Sequence, residues 1–391
     1  MREKILQNFV QAFDDAGDPR VFFSPGRVNL IGEHIDYNGG YVFPCAINLG
    51  TYGVIRKRTN DDIVLVSSNF SSSVQFTLSE LVYDAEHSWG NYPKGLIHEM
   101  IKAGHKLDYG FDMYVYGNLP SGAGLSSSAS LLSLVGVAIN TVFDLGIDRI
   151  ELAKMCQRAE HFNNVSCGIM DMFICLMGKQ DHAVLLNCDT LEYQYAPLNL
   201  GDYRILIANT NYRRGLADSK YNERLAQCRA ALADLQEVVD IKQLCELSPD
   251  EYDKLNSAVK DPTNRKRAEH AVVENYRTIA AAQALSEGRI DGLYGYMQAS
   301  HLSLRDLYDV VGDALDALVQ PMYDYAEKHN NPPRVLGARM TGAGFGGCTV
   351  NIVHKDYLDD IKQFVGDAYA EATGIQASFY VAEVAGGTEE I

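Results

Sequence analysis

Short runs rich in β-branched and aromatic residues, set off by turn residues, fill the first part of the chain. Val21–Ser24, Tyr41–Ile47, Thr51–Arg56, Ile63–Ser68 and Val74–Leu78 read as strands on this pattern. From Trp89 to Lys106 the period changes, with Leu96, Ile97, Met100 and Ile101 on one face, which predicts a helix. Phe111–Tyr116 alternates and reads as a strand. A glycine- and serine-rich loop, Asn118 to Ser128, separates it from a small, apolar stretch, Ala129 to Phe143, suited to a buried helix. Further on, Tyr203–Asn209 predicts a strand, and Ser219–Val239, Arg265–Leu285 and Leu293–Tyr308 predict helices. The glycine-rich stretch Gly337–Gly347 leads into a strand at Cys348–Val353, then a helix at Asp356–Ala372 and a strand at Ser378–Val384. The tail Gly386–Ile391 is expected to fray. Strands and helices mix without strict βαβ alternation, so the pattern predicts an α+β fold. At 391 residues two domains are expected, 1–195 and 196–391.

Composition narrows the function. Hydrophobic residues make up 47% of the chain, enough for a sizeable core, and the formal net charge is −17. An acidic surface of this size repels nucleic acid and anionic lipid, so neither is an expected general partner. The 8 cysteines form no CxxC pair and no zinc-finger spacing, which fits reduced thiols in a cytoplasmic protein. Met1-Arg2-Glu3-Lys4-Ile5 does not open a signal peptide, and no apolar run reaches the roughly 20 residues of a membrane span. A cytoplasmic monomer is expected.

Four segments carry candidate chemistry. In Leu119–Ala129, glycines can turn backbone N–H groups inward while the following helix points its positive end at the same spot, making an anion site. No Lys follows the last Gly, so this is not the GxxxxGK[ST] loop, and a plain flexible loop is the alternative. In Ser24–Gly40, the side chains of Arg27, Glu33, His34, Asp36, Tyr37 and Asn38 crowd between two strands. That mixture fits a polyhydroxylated ligand with a cation for phosphate, or else a solvated loop with an ordinary ion pair. In Cys167–Asp171 one carboxylate stands among apolar residues, either functional, or a helix cap or structural salt bridge. Gly337–Gly347 suits close approach of backbone to a ligand or another loop, or a hairpin connection.

Taken in this order, the segments resemble the GHMP small-molecule kinases, and within them the galactokinases. Arg27–Asn38 resembles the sugar signature, Leu119–Ser130 the ATP loop and Gly337–Gly347 the third glycine-rich motif. Smaller matches are Trp89–Gly95, Arg267–Val272 and Ser300–Asp306. The resemblance implies an S5-like N-terminal domain, a ferredoxin-like C-terminal domain and an active site in the cleft between them. It implies transfer of the γ-phosphoryl group of ATP to the C1 hydroxyl of galactose, with Mg²⁺. By position, Asp171 would face that hydroxyl and Arg27 would steady the moving phosphoryl group. Glu33, His34, Ile35, Asp36, Gly168 and Tyr221 would line the sugar site. Ser121, Gly122, Ala123, Gly124, Leu125, Ser126, Ser127 and Ser128 would wrap the phosphates, with Trp89 and Tyr92 near the adenine. Ser128 and Glu160 would ligate Mg²⁺. The chain departs from the family at Ile35, where Thr is usual, at Met172, where Gln is usual, and in a Glu160–Asp171 spacing one residue short. The alternatives are a kinase for another sugar, such as N-acetylgalactosamine, and a sugar- and ATP-binding regulator without turnover.

Overall fold

A computed structural model describes residues 1–120, 124–163, 167–212, 217–329 and 331–391. The expected loop residues Ser121, Gly122 and Ala123 lie outside them.

The first sheet runs in the order Glu389–Glu390, Arg20–Asn29, Pro44–Lys57, Phe111–Gly117, Asp62–Ser67, Val74–Thr77. Its pairs are antiparallel except Asp62–Ser67 with Phe111–Gly117. The expected strands at Tyr41–Ile47 and Thr51–Arg56 prove to be a two-residue strand, Tyr41–Val42, and one long strand, Pro44–Lys57, which stays paired across a bulge. Helices Asn91–Lys102, Ser127–Val142, Arg149–Phe162 and Met170–Met177 pack together with this sheet. Ser127–Val142 is apolar nearly all round, and such a helix is stable only when buried on most sides. Arg149–Phe162 starts where the Asp148 carboxylate accepts from the backbone N–H groups of Ile150 and Glu151.

The second sheet is fully antiparallel, in the order Val335–Thr341, Cys348–His354, Tyr203–Asn209, Ser378–Ala382. Gly337–Gly347 is thus half strand and half hairpin turn. Leu293–Asp306 and Gly312–Lys328 lie on this sheet, and Leu358–Thr373 packs on Gly312–Lys328. A small third sheet joins Tyr41–Val42 to the hairpin His182–Asn187 and Tyr193–Pro197. One apolar cluster runs from Val28 and Phe43 to Ile205, Met297 and Val350, so the two larger sheets share buried interior.

The tail does not fray. Glu389 and Glu390 pair with Phe23 and Phe22, and Thr388 is fully buried. Its backbone N–H donates to Cys175 O at 2.8 Å and Ile391 N–H to Val21 O at 2.9 Å. The terminus finds partners on a strand and a helix far away in sequence.

Candidate active site

Arg27 lies on the strand Arg20–Asn29 opposite Ala46, and Asp171 on the first turn of the helix Met170–Met177. They meet as a two-point pair, Arg27 Nε to Asp171 Oδ1 at 2.9 Å and Nη2 to Oδ2 at 3.1 Å. The third arm, Nη1, donates to Gly124 O at 2.6 Å. The Ser126 hydroxyl also donates to Asp171 Oδ2. Asp171 keeps 28% of its side chain exposed and Arg27 only 5%, so the carboxylate faces the opening and the guanidinium supports it from behind. Burial works against the Arg27 charge; the carboxylates of Asp171 and Glu33 outweigh it and hold the guanidinium protonated. Gly124, Leu125 and Ser126 end the glycine-serine loop at the mouth of the helix Ser127–Val142, whose free N–H groups and dipole favour an anion. Ser127 is exposed there and Ser128 half-buried.

Glu160, on Arg149–Phe162, is buried, and its Oε2 has no hydrogen-bond partner. Burial raises its carboxyl to about 7, while the Ser128 hydroxyl beside it pulls the other way. A buried, unpartnered carboxylate oxygen next to a hydroxyl is a hard oxygen pair, which fits Mg²⁺ held partly by phosphates. Among the described residues no group of three or more His, Cys, Asp or Glu forms a metal cage. A phosphate-shared Mg²⁺ does not need one.

The sugar-signature residues divide. Asp36 opens a short 3₁₀ turn, Asp36–Asn38, and lies against Gly168: a Cβ there would sit 1.6 Å from Asp36 Oδ2. Only glycine allows that approach. Burial, then Asp171 and Glu33, raise the Asp36 carboxyl to about 7. Glu33 turns Oε1 toward the third glycine-rich motif, accepting from Thr341 Oγ1 at 2.9 Å and Gly342 N at 2.8 Å. Gly342 in turn packs on Gly124, where an added Cβ would meet Gly124 O at 2.9 Å. The His34 ring is already engaged on both nitrogens, by Tyr37 OH at 2.8 Å and Ala343 O at 3.2 Å. Tyr221 sets its ring 5.7 Å from that of His34. Ile35 points into the apolar core and offers no polar atom. Trp89 is buried in the turn Ala85–Gly90 and stacks on Phe70 at 5.7 Å, and Tyr92 lies in the first turn of the next helix.

Sequence reasoning gave no role to the groups that hold the sugar loop from below, although His270 lies in the matched stretch Arg267–Val272. On the helix Pro262–Ser286, the Glu274 carboxylate accepts from Gly32 N at 3.1 Å, His270 Nε2 donates to Glu33 O at 3.1 Å, and Asn275 Oδ1 accepts from Tyr41 N at 2.8 Å. Their signal was available: polar residues spaced at 267, 270 and 274 form one stripe on a helix.

The galactokinase galactose-binding signature matches residues 7–57, the GHMP kinases N-terminal domain 91–179 and the GHMP kinases C-terminal domain 281–371. A galactokinase of Bacillus subtilis is 47% identical over 394 residues, covering 100% of this chain and 99% of its own. One from Lactiplantibacillus plantarum is 49% identical over 390 residues, covering 99% of each. The chain belongs to the galactokinase family. Its membership of the wider GHMP kinases carries ATP-dependent phosphoryl transfer with it. The crystal structure of Lactococcus lactis galactokinase complexed with galactose matches with a TM-score of 0.95 at 43% identity, covering 100% of this chain and 99% of that one. Methanococcus jannaschii mevalonate kinase, at 17% identity and a TM-score of 0.67 over 94% of this chain and 99% of its own, shares the fold.

Proposed function

We propose that this protein transfers the γ-phosphoryl group of ATP to the C1 hydroxyl of galactose, giving galactose 1-phosphate, the entry step of galactose catabolism. The observation that carries the reading is the Arg27–Asp171 pair set at the mouth of the glycine-serine loop and its helix. It puts one carboxylate, one buried cation and one anion site together. Phosphoryl transfer through a loose transition state asks for those parts and little covalent chemistry.

In this reading Asp171 orients the C1 hydroxyl and takes its proton as the bond to phosphorus forms. Arg27 and Ser126 hold the carboxylate in one orientation for that role. Arg27 offsets charge on the transferring group. Asp36, with Gly168 and Tyr221, recognises sugar hydroxyls, and Glu33 fixes the loop that presents them. The backbone of 121–128 wraps the phosphates, and Trp89 and Tyr92 flank the adenine. Ser128 and Glu160 would hold Mg²⁺, which neutralises phosphate charge when bound. We place the division between the halves near residue 195 and take the protein for a cytoplasmic monomer; no helix among the described residues is long and apolar enough to cross a membrane.

The test is ADP release from Mg-ATP against galactose, N-acetylgalactosamine, glucose and mevalonate. Turnover with galactose far above the rest supports the reading. Preference for another acceptor refutes the sugar assignment, and galactose binding without turnover replaces the enzyme with a sensor.

A further inference from the structure

Both nitrogens of the His34 ring are used by the protein, and the direction of each bond follows from its partner. Ala343 O can only accept, so Nε2 carries a proton. Burial lowers the ring to about 3, so it is neutral and Nδ1 must accept. The donor to Nδ1 is Tyr37 OH at 2.8 Å. With its proton committed there, the Tyr37 oxygen accepts from Tyr308 OH, also at 2.8 Å. By the same logic the Tyr308 oxygen accepts from the Cys228 thiol at 3.1 Å, and Asn38 Nδ2 reaches that sulfur at 3.7 Å. Asn38 Nδ2 also donates to His34 O at 3.0 Å. The chain therefore leaves the sugar loop at Asn38 and returns to it at His34, with one orientation for every proton.

Tyr308 is itself fixed by elements outside that loop. Its carbonyl accepts from Arg224 Nε at 2.8 Å, and Arg267 Nη1 donates to the neighbouring Leu307 O. Val310 O accepts from Phe345 N at 2.8 Å, in the glycine-rich turn that also contains Ala343. Tyr37 is half-buried and the other members are buried; a satisfied network of this kind favours one arrangement, and losing a member leaves its neighbours without their partner. We infer that Tyr308 is a positioning residue for the sugar site: its hydroxyl, acting through Tyr37, holds the orientation of the His34 ring, whose tautomer Ala343 O sets, and so fixes the joint between the sugar loop and the glycine-rich turn. The inference deepens the proposed function and rests on its reading of the loop as the acceptor site.

The experiment is Tyr308→Phe, with KM for galactose, KM for ATP and kcat measured beside the ¹⁵N signals of the histidine rings, His34→Ala assigning the His34 resonances. The expected result is a rise of about tenfold in KM for galactose, KM for ATP within about twofold of wild type, and a His34 Nδ1 signal moved toward a free, unbonded nitrogen. Cys228→Ala removes a donor one bond further away and should move the same quantities by about two- to threefold, with Cys228→Ser restoring them. It carries the test if Tyr308→Phe does not fold. An unchanged His34 signal overturns the inference, as does a galactose KM that stays put or rises only in step with that of ATP. Should wild-type protein not turn over galactose, the proposed function fails on that result alone, and the ¹⁵N signals still decide the role of Tyr308.

Discussion

Asp171 combines three donors on one carboxylate with an open face. Replacing it by Asn keeps the shape but removes the charge that Arg27 pairs with and, on the proposed function, the base that receives the sugar proton. Asp171→Asn should lower kcat by roughly a thousandfold or more, while ATP affinity, set by the loop and the helix mouth, stays within about threefold. Single-turnover phosphorylation beside ATP titration checks this, and substantial turnover in the variant would remove Asp171 from the chemistry. Asp36 makes a different prediction. Its folded-state carboxyl is raised to about 7 by burial and then by Asp171 and Glu33, above its ordinary 3.8. Between those values the folded protein holds a proton that the unfolded chain has released, so this group makes stability fall as pH rises through the window and adds no further change above it. Asp36→Asn cannot ionise. The ligand-free variant should gain melting temperature over wild type as pH goes from 5 to 8, while losing affinity for galactose. Parallel melting profiles across that range would show that Asp36 is not held protonated.

At the scale of elements, six of the helices and the strands at Phe111–Gly117, Tyr203–Asn209 and Cys348–His354 were legible because each carries its own pattern, whereas the helices Arg149–Phe162 and Gly312–Lys328 were passed over. The helix Met170–Met177, which bears Asp171, was not legible either. It is short and almost wholly apolar, and over so few residues a buried helix and a buried strand look alike. The site was legible where chemistry stands out from its surroundings, as at Arg27, Asp171 and the glycine-serine loop. It was not where polar residues act as supports. His34 and Glu33 sit in a sugar motif, yet they spend ring nitrogens and a carboxylate oxygen on Ala343, Tyr37, Thr341 and Gly342. Ile35 sits in the same motif and faces the core. Their partners lie 309 residues away in the case of His34 and Ala343, beyond the reach of any local pattern. The helix Pro262–Ser286 is the element that most supports this loop. Glu274→Ala would strand the Gly32 N–H, the Ser300 hydroxyl and the Arg277 cation in a buried site. Removing one partner of a buried ion pair costs about 3–5 kcal/mol. The urea midpoint should drop accordingly, and Glu274→Gln, which keeps hydrogen-bonding atoms, should drop less. Equal losses in the two variants would mean that the charge dominates rather than the bonds.

The molecule as a whole closes on itself at the helix that bears Asp171. The four last carbonyls of a helix lack partners within it, and in Met170–Met177 the chain's own terminus supplies some of what is missing. Thr388 donates twice to Cys175 O, from N–H at 2.8 Å and from Oγ1 at 2.9 Å, and Gly387 N–H donates to Gly178 O at 2.8 Å. Arg149 joins in, giving Nη1 to Leu176 O at 2.5 Å and Nη2 to Thr388 O at 2.9 Å. Glu390 pairs with Arg20 on the strand that bears Arg27 seven positions later. The tail thus braces both elements of the Arg27–Asp171 pair, from the ends remote from the reaction. Nothing in Gly386-Gly387-Thr388-Glu389-Glu390-Ile391 alternates or repeats, so its place is dictated by the carbonyls and strand edge it meets. Deleting Thr388–Ile391 should lower the melting temperature by about 5 °C, the effect of a few kcal/mol in a chain of this size. It should also lower kcat more than it raises KM for ATP, because the tail's hydrogen bonds go to the helix Met170–Met177 and the strand Arg20–Asn29. Changing Glu389 and Glu390 to Gln keeps the backbone pairing and separates the ion pair from the brace: that variant should keep nearly full kcat. If the truncated protein melts early but turns over at the wild-type rate, the terminus is a strut for the fold and the geometry of Asp171 is held by Arg27 and Ser126 alone.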